Sequence, residues 1–418
     1  MHNKRLQIIL VILCAFFLGY FIGNFKVHLA WSQYKPQITI IDKNPPAMVS
    51  QVDFSQFWNV WDKVVNGYYD KSKVDPQKML QGAISGMVGS LGDPYTMYLP
   101  PAQQTSFSQQ LAGQFTGIGA ELGLKDKQII VVTPLVGSPA KKAGIQSGDA
   151  IVKVNGEDAS LWTLPQAVEK IRGPKGTQVT LTVVHKDDTK TTDITITRDV
   201  ITIKSIDGWL KPISQIDGID KTKFVAQSSD KIMYLRLSQF GDNTNQDWSN
   251  LIGQLAPQFD GAKGIILDLR NNPGGYVTDA QYIASEFLPQ GDTVVIQQAG
   301  NGDEETLTVN RAGKLLSQPL VILINKGSAS ASEIVAGAMR DNNRAKLIGE
   351  VSFGKGTMQQ AIDLGQGAGL HVTIAKWLTP NGTWVHGKGL TPDIAVDPDT
   401  KDMSHDTQLE AAIGQLLK

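Results

Sequence analysis

Two short apolar stretches, each followed by a turn rich in small residues and then by a helical pattern, constrain the fold of this chain most strongly. They run from Gly264 to Leu269 and from Leu320 to Asn325. Strands that are apolar along their whole length are typical of a sheet covered on both faces, and such sheets occur where strands alternate with helices. The chain beyond Ile201 is therefore predicted to form a layered α/β domain.

The rest of the chain has a different pattern, and its 418 residues exceed the roughly 100 to 200 of an ordinary domain. Two helical patterns, over 53–69 and 76–91, predict a small helical front domain, and the proline-containing stretch 35–46 is predicted to be a stalk. Short alternating strands follow, interrupted by one helix, Leu164 to Ile171. These strands are predicted at Gln128 to Val132, Ala150 to Val154, Gln178 to Val184 and Thr192 to Thr197.

The amino terminus has the pattern of a membrane anchor. Lys4 and Arg5 precede an apolar run from Leu6 to Phe25, which has about the length that crosses a bilayer as a helix. A cleaved signal peptide is the main alternative, but residues 26–30 lack the small residues that a signal peptidase usually requires. The basic start predicts a cytoplasmic amino terminus, with the remainder of the chain outside.

Composition excludes several functional classes. The chain has 39 Lys and Arg against 40 Asp and Glu, without the basic excess that nucleic-acid binding requires. Cys14 is the only cysteine, which excludes an intramolecular disulfide and a thiolate zinc cluster. The six histidines have no HExxH spacing. We therefore predict no metal, no cofactor and no nucleic-acid partner.

We expect a multidomain α/β (α+β) protein with four parts. They are a transmembrane anchor (1–26), a stalk and helical front domain (27–101), a strand-rich domain (102–199), and an α/β domain with a C-terminal helix (200–418).

Two glycines before a strand predict a peptide-binding loop in the strand-rich domain. In the run from Gly117 through Ile118 and Gly119 to Ala120, backbone amides can point in one direction and form a nest for a carboxylate, and a strand edge beside them can accept an extended peptide. A dinucleotide-binding motif is excluded because the third glycine is misplaced, at Gly123.

The downstream run SPAKKAGIQSGDAIVKVNG, residues 138–156, resembles PDZ domains of the bacterial periplasmic or cell-surface type. The resemblance implies a domain that binds free C-termini at Gly117, Ile118, Gly119 and Ala120. Arg172 ends the helix that lines such a groove; it is either a solvated cation or a charge that senses the ligand or touches the next domain.

A serine-rich turn at 325–334 predicts a nucleophile. Ser330 lies where a buried strand meets a helix, near backbone amides that can stabilise an oxyanion. An ordinary N-cap is the plain alternative. Ser328 and Ser332 are less favoured nucleophiles, and an α/β-hydrolase elbow is excluded because it needs glycine at position 332.

The segment 350–360 supplies a base. Lys355 could take the serine proton if burial lowered its pKa from near 10.4 to about 7 or 8, and Gln359 would reach its amine if the intervening turn is helical.

A phosphate-binding loop is excluded by Gly356, which stands where Ser or Thr is needed. His371 and His386, in strand-like segments, are alternative bases but are more typical of packed residues; Glu333 is expected to be structural or to support the site.

Together these motifs resemble the carboxyl-terminal processing, or tail-specific, proteases over essentially the whole chain after the anchor. The resemblance implies Ser330 as nucleophile, Lys355 as general base and Gln359 as the residue that orients the lysine. It also implies oxyanion amides from Gly275, or its neighbour Gly274, and from Ala331.

The same resemblance implies a crotonase-like layered protease core, protein or peptide substrates with free C-termini, and a homodimer. The predicted anchor places the enzyme in the bacterial cell membrane, single-pass with a cytoplasmic amino terminus and with the catalytic part extracytoplasmic. Two other functions stay open: a catalytically silent PDZ scaffold, and a crotonase-like acyl-transfer enzyme.

Overall fold

A computed structural model describes residues 13, 16, 27–32, 35–40 and 52–418, other than 126, 127, 136, 186, 187, 203 and 403. The chain divides after Leu80 into two units. Of the predicted anchor only Leu13 and Phe16 are described, and both are helical, so that prediction lies almost entirely outside the described residues. Among the helices that the structure does describe, none is both long enough and apolar enough to cross a bilayer.

The first unit pairs two strands ahead of its helices. Strand β1 (Val27–Ser32) is antiparallel to β2 (Lys35–Ile40), with Val27 opposite Ile40. The prediction of a stalk over 35–46 is therefore wrong for 35–40, which form a strand; both paired segments contain β-branched or aromatic residues, which favour strands. Residues 41–46 lie outside the described part. Helix α1 (Ser55–Gly67) follows, as predicted.

The helix that crosses the division begins as the sequence predicts. Helix α2 (Pro76–Gly89) has proline in its first position. The Asp75 carboxylate accepts hydrogen bonds from the N–H groups of Gln77 at 2.9 Å and Lys78 at 3.3 Å, which makes it the N-cap.

The second unit opens with a strand-rich part, in which four strands and one helix were predicted from the sequence. Its elements are β3 (Met97–Leu99), α3 (Pro101–Leu111), β4 (Gln114–Gly117), β5 (Ala120–Lys125), β6 (Gln128–Pro134), α4 (Pro139–Lys142), β7 (Ala150–Val154), β8 (Glu157–Asp158), α5 (Leu164–Ile171), β9 (Gln178–Val184), β10 (Thr191–Thr197) and β11 (Asp199–Thr202). The main sheet has the order β10-β9-β7-β6-β5, and β8 pairs with β7. Strand β5 therefore lies at the edge of this sheet.

The α/β part of the second unit follows. Its elements are β12 (Ile206–Pro212), β13 (Lys231–Leu237), α6 (Thr244–Leu255), β14 (Ala262–Asp268), α7 (Val277–Ala284), β15 (Thr293–Ala299), β16 (Glu304–Thr308), β17 (Leu320–Ile324), α8 (Ala331–Asp341), β18 (Lys346–Gly349), β19 (Thr357–Gly365), β20 (Ala368–Leu378), β21 (Ile394–Ala395) and α9 (Thr407–Leu416). Short 3-10 helices occur at Lys71–Lys73, Ile213–Gln215, Lys221–Gln227 and Ala256–Gln258.

Two sheets organise this part. The first sheet has the order β12-β13-β14-β17-β18-β21, and all its neighbouring strands from β13 onwards are parallel. The second sheet has the order β16-β15-β20-β19, and β3 pairs with β20. The carboxyl ends of parallel strands meet at one edge of a sheet. The turns after β14 and β17 are therefore neighbours.

The central strands are buried on both faces, as their apolar pattern predicts. Ile265 of β14 packs in one core cluster with Ile334 of α8, whereas the next residue, Ile266, packs with Leu409 and Ile413 of α9 on the other face. This confirms the layered α/β expectation. The domain boundaries predicted at 101 and 199 fall inside the second unit and stay predictions.

Candidate active site

Ser330 occupies the corner between β17 and α8, where the sequence places it. It immediately precedes the first helical residue, Ala331, and has φ 54° and ψ −116°. A positive φ is uncommon for a residue with a side chain. Ser330 is 8% exposed and lines a cavity of about 300 Å³.

The two neighbouring serines have structural roles. The Ser328 hydroxyl donates to the Leu269 carbonyl at 2.8 Å and accepts from the Asn325 N–H at 2.9 Å. The Ser332 hydroxyl donates to the Asn272 carbonyl at 2.9 Å. Both serines are fully buried and tie the 325–332 turn to the turn after β14. Of the three serines, only Ser330 lines the cavity.

The turn after β14 presents an available amide beside Ser330. The Gly274 N–H donates to the side-chain oxygen of Asn272 at 2.9 Å, whereas the Gly275 N–H has no acceptor within the described part of the chain. Gly275 has φ 142°, and a Cβ there would lie 1.6 Å from the Phe240 carbonyl oxygen. The geometry therefore favours Gly275 over Gly274 as an oxyanion donor. Ala331, at the helix start, likewise has an N–H without an acceptor among the described residues.

The carboxylate of Glu333 joins the serine segment to the lysine segment. Its Oε2 accepts from the N–H groups of Ser330 at 2.8 Å and Lys355 at 2.9 Å. Its Oε1 accepts from the Ser352 hydroxyl at 2.6 Å and the Gly354 N–H at 2.7 Å. Glu333 is fully buried, and these four donors compensate its charge. It therefore fixes one backbone relative to the other, which agrees with the expected supporting role.

The Lys355 side chain points into the same cavity against an aromatic ring. Its Nζ lies 4.9 Å from the centre of the Tyr95 ring, and no hydrogen bond within the described residues joins it to Ser330. Burial lowers the pKa of Lys355, while the nearby carboxylates of Asp93 and Glu333 act to raise it. Burial has the larger effect, so the amine loses its proton more easily than an exposed lysine.

Gln359 is not placed as a helical spacing would place it. The segment is extended from Thr357 onwards, and the Gln359 amide donates to the hydroxyls of Thr357 and Thr373, each at 3.0 Å. Gln359 lines the cavity, but within the described part of the chain its side chain makes no hydrogen bond to Lys355. The conditional expectation of a helical turn is therefore wrong, because the chain joins the ladder between β19 and β20.

Tyr95 is a cavity residue that no sequence motif indicates. It lies between α2 and β3, in a turn where the Thr96 hydroxyl donates to Asp93 at 2.7 Å and accepts from the Thr373 N–H at 3.0 Å. These bonds fix the turn against β20. The local sequence signal for this turn is the helix-breaking Gly92-Asp93-Pro94 sequence, which does not show that the turn packs against β20.

The predicted peptide-binding residues come together in a second groove. A groove of about 200 Å³ is lined by Gly117, Ile118, Gly119, Ala120 and Arg172. The guanidinium of Arg172 lies over the ring of Phe115, with Cζ 5.3 Å from the ring centre.

Glycine is required at position 119 of this groove. Gly119 has φ 73°, and a Cβ there would lie 2.5 Å from that of Ser138. The groove runs beside the free edge of β5, the arrangement that strand addition requires.

The two candidate histidines differ in their surroundings. His371 is buried in β20 and lines the active-site cavity, and burial together with the Lys355 charge lowers its pKa. His386 lies in a turn rather than a strand, which corrects the expectation, and stacks on Trp384 with ring centres 5.1 Å apart. Within the described residues neither imidazole hydrogen-bonds to Ser330.

Three family models match this chain. They are peptidase family S41 at residues 231–396, PDZ domain at 130–184, and activating protease CtpB N-terminal domain at 20–102. The fold therefore combines a PDZ domain with an S41 protease domain.

Curated relatives and a solved structure are similar over most of the chain. A "Probable CtpA-like serine protease" of Staphylococcus aureus (strain N315) is 38% identical over 83% of this chain and 65% of its own length. The carboxy-terminal processing protease CtpA of Bacillus subtilis (strain 168) is 35% identical over 83% of this chain and 70% of its own. The chain thus spans about two thirds of the S. aureus relative.

A structure of photosystem II D1 C-terminal processing protease is 29% identical, with a TM-score of 0.51. The match covers 83% of this chain and 94% of that one.

Proposed function

Because the chain belongs to peptidase family S41, among the carboxy-terminal processing proteases, we propose that it is a serine endopeptidase that cleaves proteins near their C-termini. The observation that carries the proposal is one cavity lined by Ser330, Lys355 and Gly275. A hydroxyl, a buried amine and an unpaired backbone amide are the groups that acyl transfer requires.

In the acylation step, the neutral Lys355 amine takes the proton of the Ser330 hydroxyl as its oxygen attacks the scissile carbonyl carbon. The N–H groups of Gly275 and Ala331 donate to the resulting oxyanion. The Lys355 ammonium then gives its proton to the leaving nitrogen, the C–N bond breaks, and Ser330 carries an ester. Since the Lys355 amine lies against Tyr95 in this structure, the step requires its side chain to turn toward Ser330.

In deacylation, water is the nucleophile and the Ser330 oxygen is the leaving group. Lys355 takes a proton from water as the water oxygen attacks the ester carbonyl, and then returns that proton to the Ser330 oxygen as the acid product leaves. Glu333 moves no proton in this scheme. Its four hydrogen bonds hold the two backbones at the spacing that the transfer needs.

The PDZ groove would select the substrate. A free carboxylate would accept from the amides of the 117–120 loop, and the residues before it would add a strand to β5. Arg172 places a positive charge at this groove.

The cellular setting is also part of the proposal. The apolar run at 6–25 would anchor the enzyme in a bacterial membrane with a cytoplasmic amino terminus and an extracytoplasmic catalytic part. The homodimer implied by the family resemblance stays a prediction.

Incubating the full-length chain with an unlabelled peptide that ends in a free carboxylate, followed by mass spectrometry, tests the proposal. We expect internal cleavage, and a loss on the order of 10⁴-fold or more for Ser330→Ala and for Lys355→Ala. Lys314→Ala removes an exposed lysine and should leave cleavage unchanged.

Cleavage by Ser330→Ala would refute the proposal. Peptide binding without cleavage would indicate a scaffold, and acylation without hydrolysis would indicate an acyl-transfer enzyme.

A further inference from the structure

The active-site cavity contains a buried polar atom that the proposed mechanism does not use. His371 is 7% exposed, and its Nε2 is buried without a hydrogen-bond partner in the described part of the chain. Native proteins seldom leave a buried polar side-chain atom unpaired, because it loses its bonds to water without replacement. His371 lines the same cavity as Ser330, so a ligand of that cavity is the candidate partner, and it reaches Nε2 once the side chains that cover this atom move aside.

The residues around His371 are apolar. Its ring meets Phe107 edge-to-face, with centres 4.6 Å apart, and its strand neighbours are Ala361 in β19 and Met97 in β3. Phe107, Met97 and Ala361 also line the cavity. The imidazole is thus a polar group among three apolar neighbours in this part of the cavity.

The protonation state of His371 decides what it can bind. Burial lowers its pKa and the Lys355 charge lowers it further, so the ring is neutral near pH 7. A neutral imidazole offers one N–H donor and one acceptor nitrogen, and so matches a hydroxyl, which can both donate and accept.

A second unpaired atom in the cavity supports a polar ligand. The side-chain nitrogen of Gln239 is buried and also has no partner among the described residues. Gln239 lines the cavity and precedes Phe240, whose backbone bonds to the Gly275 turn. The cavity therefore has one unpaired polar atom next to the segment that bonds to the oxyanion turn and another on β20.

We propose that His371 determines substrate specificity: its Nε2 hydrogen-bonds to the side chain of the substrate residue that enters the apolar part of the cavity, favouring a hydroxyl-bearing residue over its hydrocarbon isostere. This rests on the proposed peptidase function. Threonine and valine are the matched pair, since they differ by one hydroxyl in place of one methyl group. A pocket built to bond a hydroxyl discriminates against an isostere that lacks it.

The test compares Thr and Val at each position around a cleavage site mapped for the full-length enzyme. At one position we expect kcat/KM for the Thr peptide to exceed that for the Val peptide about five- to tenfold, the worth of one hydrogen bond. His371→Leu should reduce this ratio to about one, with cleavage of the Thr peptide falling more than cleavage of the Val peptide. His371→Gln, which retains a hydrogen-bonding group, should restore part of the preference.

The outcomes separate this proposal from the one on which it rests. If the unsubstituted enzyme cleaves no peptide, so that no cleavage site can be mapped, the peptidase function fails and the assignment falls with it. If it cleaves both equally, or if His371→Leu keeps the Thr preference, the His371 assignment alone is overturned. A loss of both activities in a His371→Gln protein that still melts like the unsubstituted enzyme would indicate a role in the chemistry and would also overturn it.

Discussion

Ser330 adopts backbone angles that cost free energy, and a buried carboxylate compensates. A side-chain-bearing residue at φ 54° and ψ −116° carries strain of about 1–3 kcal/mol. The Glu333 carboxylate accepts the Ser330 N–H, and through the same oxygen it accepts the Lys355 N–H. The strained serine and the lysine segment are thus stabilised by one group.

Replacing Glu333 with glutamine should disable the site without changing its size. An amide turns one oxygen into a donor that faces N–H or O–H groups, so at least one buried donor loses its acceptor. We expect a loss of about 2–3 kcal/mol in the free energy of unfolding, measured by urea denaturation, and loss of Ser330 labelling by a fluorophosphonate probe. Glu305→Gln, on an exposed strand position, is the control. Normal labelling of Glu333→Gln would contradict this role.

At the scale of elements, the turn after β14 allows glycine alone at position 275. A Cβ there would lie 1.6 Å from the Phe240 carbonyl oxygen, so the turn would have to move away from Ser330. Gly275→Ala should therefore lower peptide cleavage at least about 100-fold, in line with the loss of one oxyanion donor. Gly300→Ala is the matched control, since a Cβ at Gly300 meets nothing within 4 Å. Unchanged cleavage by Gly275→Ala would show that this turn does not bind the oxyanion.

A buried acid links α6 to α7, the helix that follows the same turn. The Asn245 side-chain amide donates to Asp279 Oδ1 at 2.9 Å, while Asp279 Oδ2 and Asn245 Oδ1 have no partners among the described residues. Burial raises the pKa of Asp279 to about 6 from its usual 3.8. The folded protein therefore keeps this proton at a pH where the unfolded chain releases it.

The pH dependence of stability follows from that pKa. The stabilising effect of the proton is complete below about pH 4 and is lost as the pH rises through 6, above which the buried charge destabilises the fold. Asp279→Asn removes the charge, and it should raise the free energy of unfolding by about 2–3 kcal/mol at pH 8 but by less at pH 5. Denaturant titrations at the two pH values measure this, with the exposed Asp260→Asn as control. An equal effect at both pH values would contradict it.

Helices and strands with a regular apolar pattern were predictable from the sequence. The conformation of the segment from Lys355 to Gln359 was not, because only the spacing of two residues was available. The strands Ala150–Val154 and Gln178–Val184 and the helix Leu164–Ile171 have the predicted limits, because alternation and capping act locally. Gln359 lies four residues after Lys355 and was expected to reach its amine if the turn between them is helical. That spacing puts two side chains on one face of a helix, but also on one face of a strand, so it could not distinguish them.

At the scale of the whole molecule, helix α3 leads from the protease sheet to the PDZ groove. Its N-terminal neighbour β3 pairs with β20, and its C-terminal neighbour β4 contributes to the groove. Where it ends, the Leu111 carbonyl accepts the Asp242 N–H at 3.0 Å, and the Ala112 carbonyl accepts the Asn243 side-chain amide at 3.2 Å. Phe107 and Leu111 of this helix line the active-site cavity. This helix therefore lines the active-site cavity and leads into the strand that borders the PDZ groove.

The composition of that cavity shows where local reasoning stops. Ser330 and Lys355 lie in motifs and could be chosen from the sequence. Tyr95, Phe107 and His371 reach the same cavity from three separate segments, and no local pattern signals that they meet. Their convergence depends on β3 pairing with β20, which is a property of the tertiary fold.

Tail recognition should depend on the substrate carboxylate and on Arg172. Fluorescence anisotropy with full-length Ser330→Ala should show about tenfold weaker binding for a C-terminally amidated peptide than for the free acid, since the amide brings no charge to the groove. Adding Arg172→Ala should weaken free-acid binding by a similar factor. Lys170→Ala, an exposed cation on the same helix, should change neither value. Equal affinities for acid and amide would refute carboxylate recognition.

The pairing of Ser330 with a deprotonated Lys355 is tested by the pH dependence of peptide cleavage in the full-length chain and in Lys355→Ala. Burial lowers the lysine pKa, so cleavage should rise with pH to a plateau whose midpoint lies below 10.5, and acid should abolish it by protonating the amine. Lys355→Ala should show no such rise and on the order of 10⁴-fold less cleavage. Comparable cleavage by Lys355→Ala at any pH, or a midpoint at 10.5, would contradict a lysine base.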